Sequence, residues 1–274
     1  MHMKILMNDE AAPGWDAEHG LSLLFETADA TLLFDAGASP LLLENLRQMR
    51  IDPTQVTHLV LSHGHYDHTG GVAAVFPLLP HAEVFYSTGL ERERFRLRDP
   101  EPPKVLTMPA ECREALERLP ADRRHELTAV TPISDFAYLT GPIPRFSGET
   151  TGGRFSLDAA GTIPDEITDE QALLFTSGVL VTGCCHAGII NTVEYCRKHL
   201  PEVPISVIVG GLHLLNADQT RLSQTAEYLK RLNLKRLILL HCTGSSAAEY
   251  LKHEIPFPVE WRKAGEQLEL FEEG

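Results

Sequence analysis

Residues 56–71 read Val-Thr-His-Leu-Val-Leu-Ser-His-Gly-His-Tyr-Asp-His-Thr-Gly-Gly. An apolar, β-branched run delivers the chain directly into His63, His65, Asp67 and His68, three histidines and an aspartate within six residues. Crowded imidazoles repel one another when protonated, and burying them unpaired is costly. A bound metal ion is the simplest compensation. In an extended segment His63, His65 and Asp67 share one face. His68 breaks that period, so a single segment can feed two adjacent sites. Imidazole and carboxylate suit zinc, iron or manganese rather than calcium. An isolated His-x-His is more often a polar turn, but here the motif follows a buried strand, and context is what confirms a motif.

Three further histidines occupy the same niche. His186 follows VLVTGCC, His213 follows ISVIVGG and His241 follows RLILL. Each stands just past an apolar run, on the side where α/β sheets bind ligands. Any one of them alone could simply cap a backbone group. His58, His81, His125, His199 and His253 have no such placing and read as ordinary.

Working outward, KILM (4–7), LSLLFET (21–27) and TLLFDAG (31–37) read as strands, and Ser39 caps a helix over 40–50. A helix starts at Gly70-Gly71, and AEVFYS (82–87) is the next strand. Residues 88–127, rich in Arg, Glu and Pro, read as an irregular insertion: a loop, then a helix around ECREALERL. A second irregular stretch covers 140–170, and both are candidate lids or substrate walls. Beyond 170, strands and helices alternate (helices over 188–199, 218–232 and 245–253), ending in a short strand pair at 258–262 and 267–271. The expected architecture is a four-layer αββα sandwich, 1–274 forming a single domain.

The 274 residues carry a net charge of −14, which argues against nucleic acid and membrane surfaces as partners. No apolar run reaches the ~18 residues of a spanning helix. The N-terminus lacks the pattern of a signal peptide. Five cysteines in no framework spacing point to a reducing, cytoplasmic compartment. A homodimer is left open.

Taken together, these motifs resemble the metallo-β-lactamase superfamily. LVLSHGHYDHTGG is similar to its signature, and LLFDAG to its early strand ending in an Asp-x-Gly turn. VTGCCHAGIINT, VIVGGLHLLNA and LILLHCTGS, with AEHGLS (17–22), TGPIPR (140–145) and DEQALLF (169–175), resemble a subgroup named for 7,8-dihydropterin-6-methyl-4-(β-D-ribofuranosyl)aminobenzene-5'-phosphate synthase. The resemblance spans nearly the whole chain apart from 88–127. It implies that His63 and His65 ligate a first metal, and Asp67, His68 and the distal His241 a second. The superfamily completes the first site with another histidine, for which His186 is the choice, and bridges the metals with an aspartate. Cys184 stands where that aspartate would be. A Cys184 thiolate, Asp169 or water alone could bridge; with no bridging residue the centre would be effectively mononuclear.

The resemblance further implies a metal-dependent hydrolase that uses a metal-bound hydroxide, with one or two zinc ions (manganese or iron are alternatives) and a phosphoester or other small anionic metabolite as substrate. Asp67 can orient the water as well as bind metal. His213 can serve as general acid, as a metal ligand, or as a donor bracing the ligands. Arg145, on the resemblance, is an anion-binding candidate, and Tyr66 either points into the cleft or packs beneath it. Arg92, Arg94, Arg96 and Arg98 alternate in ERERFRLRD. They would form one cationic face if extended, or a solvated loop paired with Glu91, Glu93 and Asp99. Other readings are the condensation for which the subgroup is named, an iron-dependent oxygen or thiol-redox enzyme using Cys184, Cys185 and Cys242, and a non-catalytic metal-binding module. β-Lactam hydrolysis does not follow, since a fold does not set a substrate.

Overall fold

A computed structural model describes residues 1–149 and 152–271. The first part of the chain forms β1 (His2–Met7), β2 (Ser22–Glu26), β3 (Thr31–Phe34), α1 (Leu42–Gln48), β4 (Val56–Val60), α2 (Tyr66–Thr69), α3 (Val72–Val75) and β5 (Glu83–Ser87). There follow β6 (Phe95–Arg98), β7 (Glu101–Val105), α4 (Ala110–Glu117), β8 (Arg124–Leu127), β9 (Thr131–Ser134), β10 (Ala137–Leu139) and β11 (Arg154–Ser156). The remainder is β12 (Leu173–Phe175), β13 (Val179–Thr182), α5 (Ile189–His199), β14 (Val207–Gly210), α6 (Gln219–Leu229), β15 (Arg236–Leu239), α7 (Ser245–Glu254), β16 (Val259–Trp261) and β17 (Gln267–Glu269).

Two seven-stranded sheets, ordered β17-β1-β2-β3-β4-β5-β8 and β16-β15-β14-β13-β12-β10-β9, pack face to face. The period-2 pattern of the strands explains the packing. Val179 and Val181 of β13, Val207 and Val209 of β14 and Ile238 of β15 enter a core shared with Met3, Ile5, Phe25 and Phe34 of the opposite sheet. Their alternates Leu180, Ile208, Leu237 and Leu239 face outward against Val193, Leu229 and Leu251 of α5–α7. On the other outer face Leu24, Leu33 and Leu59 pack on α1, α3 and α4. Strands buried on both faces read as continuous apolar runs. The expected αββα sandwich is therefore what the chain forms. Within each sheet one half is parallel, β3-β4-β5-β8 and β13-β14-β15-β16. Carboxyl ends of β3 and β4 thus meet those of β13, β14 and β15.

Four expectations need correction. The final strands do not pair with each other: β16 lies beside β15, whereas β17 crosses to the other sheet and pairs with β1. The stretch 88–127 is not an irregular loop before its helix, because β6 and β7 form an antiparallel hairpin and β8 extends the first sheet. β11, from the second irregular stretch, pairs with β6 to give a third, three-stranded sheet. The helix after Gly71 is a single α-turn followed by a 3-10 turn, Phe76–Leu78.

Candidate metal centre

β4 ends against β3, and the chain there is pinned by Asp35. This residue leaves β3 in the left-handed region, φ 58. Its Oδ1 accepts from the Ser62 backbone N–H at 2.7 Å, and its Oδ2 from Ser62 Oγ at 2.7 Å and His68 Nδ1 at 2.6 Å. Ser62 Oγ in turn lies 2.9 Å from His63 Nδ1. A carboxylate on one ring nitrogen fixes which nitrogen a histidine presents to a metal. His68 presents Nε2, 3.2 Å from Cys184 Sγ.

Gly64 is obligatory between the two histidines. A Cβ there would lie 1.8 Å from the Leu90 carbonyl oxygen and 2.7 Å from Arg94 Nη1. The Gly64 N–H donates to Asp169 Oδ2 at 2.8 Å, and the same carboxylate accepts from Arg94 at 2.8 and 2.5 Å. Arg94 is fully buried and also reaches Asp165 at 3.0 Å. Asp169 thus braces the ligand loop from behind, which removes it as the bridging ligand. Arg94 leaves the proposed cationic face for the same reason.

Two donor groups result. His63, His65 and His186 bring their ring nitrogens within 4.8 Å of one another, and so do the donors of Asp67, His68 and His241. Cys184 belongs to both neighbourhoods, grouping with His63 and His68 on one side and with His241 and Cys242 on the other. All six N/O donor residues are buried. His65 Nε2 and Asp67 Oδ1 are shielded from solvent with no hydrogen-bond partner among the described residues. Such orphans cost about 1–3 kcal/mol each unless something satisfies them, and a divalent cation fits both.

The electrostatics agree. Burial and neighbouring imidazoles hold His63 and His186 well below their ordinary pKa, and burial does the same to His65 against the pull of Asp67. Neutral imidazoles are the metal-binding form. Burial raises Asp67, but His241 and His68 outweigh it and keep the carboxylate ionised. At His241 burial is outweighed by Asp67 and Asp9, so this position already favours positive charge. Burial, then Cys242, pushes the Cys184 thiol well up; a coordinated metal would deprotonate it.

His65, Asp67, His186 and His241, with Cys184, line a cleft of about 360 Å³, and His63 and His68 lie behind them. His213 lines it, half-buried, with its ring 4.4 Å from that of His186. It joins none of the donor groups among the described residues, which favours the acid or bracing role over ligation. Tyr66 lies outside the cleft lining, its hydroxyl accepting from Lys104 Nζ at 2.7 Å. Arg145 is exposed, donates to the Glu166 carbonyl at 2.6 Å, and does not line the cleft either. Cys242 lines it, but Cys185 packs into the outer core behind. All five cysteines are free thiols.

Sequence reasoning missed His19 and Asp9. His19 Nε2 is 3.3 Å from Asp67 Oδ2, and Asp9 joins His19 (2.9 Å) to His241 (2.5 Å). The AEHGLS resemblance carried a signal for His19; nothing marked Asp9. Asp35 was quoted in LLFDAG without a role.

The chain belongs to the metallo-β-lactamase superfamily, whose family model matches residues 15–145. It is similar to the 7,8-dihydropterin-6-methyl-4-(β-D-ribofuranosyl)-aminobenzene-5'-phosphate synthase of Methanocaldococcus jannaschii, at 27% identity over 94% of this chain and 92% of that one. An uncharacterized protein of the same organism, MJ0448, is 31% identical over 89% of this chain and 91% of its own. Among solved structures, Tm1679, described as a metal-dependent hydrolase of the β-lactamase superfamily, superposes with a TM-score of 0.83 at 26% identity, covering 98% of this chain and 99% of that one. The protein is thus an enzyme of this superfamily with a divalent-metal centre, and no helix among its described residues is long and apolar enough to cross a membrane.

Proposed function

We propose that the protein is a zinc-dependent hydrolase of a phosphoester or related small anionic metabolite. The observation that carries this reading is the pair of donor groups, His63/His65/His186 and Asp67/His68/His241, meeting at Cys184, with His65, Asp67, Cys184, His186 and His241 open to one cleft. A metal held there would acidify water and polarise a phosphoryl or carbonyl oxygen. The chain's own residues do the rest. Asp35 and Ser62 lock the His63 and His68 rings. Asp67 holds a position beside His241 and His19. His213, on the cleft wall, donates a proton to the leaving oxygen. Cys184, between the two donor groups, would supply a thiolate ligand to a metal held there.

Elemental analysis of protein purified without added metal, together with turnover of a phosphomonoester and phosphodiester panel, tests the assignment. One or two zinc ions per chain with phosphoester turnover supports it; iron with oxygen consumption, or no hydrolysis, sinks it. A second reading is condensation of the kind named in the Methanocaldococcus jannaschii relative, favoured by its 27% identity over nearly full length. Formation of a pterin–arylamine product without hydrolysis of phosphoesters would put that reading first.

A further inference from the structure

β6 runs along one wall of the cleft with an alternating series of arginines. Arg94, just before it, is consumed by Asp165 and Asp169. Arg96 and Arg98 follow two residues apart, where the β6–β7 register shifts, and both line the cleft. Arg96 lies opposite Phe155 of β11, and residues paired across antiparallel strands share a face. The Phe155 ring marks that face as the one toward the metal centre: it is 5.9 Å from the His65 ring, 5.4 Å from His186 and 6.1 Å from His213. Arg96 Nε is shielded from solvent and has no hydrogen-bond partner among the described residues. The acid facing both arginines is Glu101, at 4.0 Å from Arg96 and 3.8 Å from Arg98, beyond hydrogen-bond length. Arg154, opposite Leu97, also lines the cleft, but its guanidinium lies 3.9 Å from Asp99.

A shielded guanidinium nitrogen with no acceptor, on the cleft wall of a protein with net charge −14, is costly unless an anion completes it. We infer that Arg96 and Arg98 form an anion subsite for a second, non-reacting phosphate of the substrate, separated from the metal centre by the Phe155 ring. The guanidinium fork matches phosphate oxygens in pairs. The inference rests on the hydrolase reading for the reacting end and makes the substrate bifunctional: an ester at the metal donors, an apolar or ring segment against Phe155, and a phosphate at the arginines.

The metal-loaded enzyme is titrated calorimetrically with alkane bisphosphonates, in chains of roughly two to six carbons, and with the matching alkyl monophosphonates. One chain length should bind about tenfold or more tightly than its monophosphonate. Arg96→Gln and Arg98→Ala should each abolish that advantage with metal content and melting temperature unchanged. Arg92→Ala should keep it, since Arg92 is exposed, bonded to Thr168 and outside the cleft. No advantage at any length, or an advantage that survives in both cleft variants, overturns the subsite. Absence of phosphoester turnover beside an intact bisphosphonate advantage would instead remove the hydrolase reading and leave the subsite standing.

Discussion

On the proposed reading, Cys184 sets how many metals the centre holds. Its sulfur touches the His68 ring at 3.2 Å and groups with donors of both sites, in a position where the resembling superfamily places a carboxylate. Replacing it by serine keeps the volume and removes the soft ligand. Cys184→Ser should therefore lose one of two zinc ions by elemental analysis; equal metal content in both proteins would show that the thiol is not a ligand. His63→Ala and His213→Ala separate binding from chemistry. His63→Ala should lose metal and turnover together. His213→Ala should keep its metal and lose about 10²–10⁴-fold in kcat, and retained turnover would end its assignment as acid. Most of this donor set was legible, because histidines at strand ends advertise themselves one strand at a time. Asp9 and His19 were not, since their role arises only when β1 and the turn before β2 are brought beside His241, 222 positions beyond His19 in the chain.

At the scale of the element, the hairpin β6–β7 is the part periodicity could not see. β7 contains Pro102 and Pro103, which argue against a strand. The structure resolves the conflict by making β7 the edge of its sheet, where a missing N–H costs little. The hairpin is anchored rather than draped. The Tyr66 N–H donates to the Leu106 carbonyl at 2.8 Å, and Arg94 ties it to Asp165, Asp169 and, through Asp169, to Gly64. Removing one partner of a buried ion pair strands the others, at roughly 3–5 kcal/mol. Arg94→Met should thus lower the unfolding free energy by that order, seen as a lower denaturation midpoint, and, because Asp169 holds the ligand loop, weaken metal affinity as well. A variant with wild-type midpoint and wild-type affinity for zinc would mean that the brace is dispensable. Gly64→Ala should give the same loss of metal with little room for rescue, because its Cβ would collide with backbone at Leu90.

For the whole molecule, the donors come from opposite sheets. His63, His65, Asp67 and His68 follow β4 of the first, whereas Cys184, His186 and His241 follow β13 and β15 of the second. The αββα layering was readable because each apolar run belongs to a strand buried on both faces. The crossing of β17 to the far sheet was not, because its three residues carry no pattern that distinguishes it from a hairpin partner of β16. A metal spanning the two sheets binds only where both are folded, so it adds its binding energy to the stability of the native state. At a thousandfold excess over Kd that is ~4 kcal/mol, and each kcal/mol moves Tm by roughly 2–4 °C for 150–250 residues. Chelation should accordingly lower the melting temperature by about 10 °C, with zinc restoring it. His63→Ala should melt near the chelated protein and ignore the chelator. If native protein melts alike with and without chelator while elemental analysis shows the zinc gone, the ion does not join the sheets, and the donors are held in place by Asp35, Asp169 and Arg94 alone.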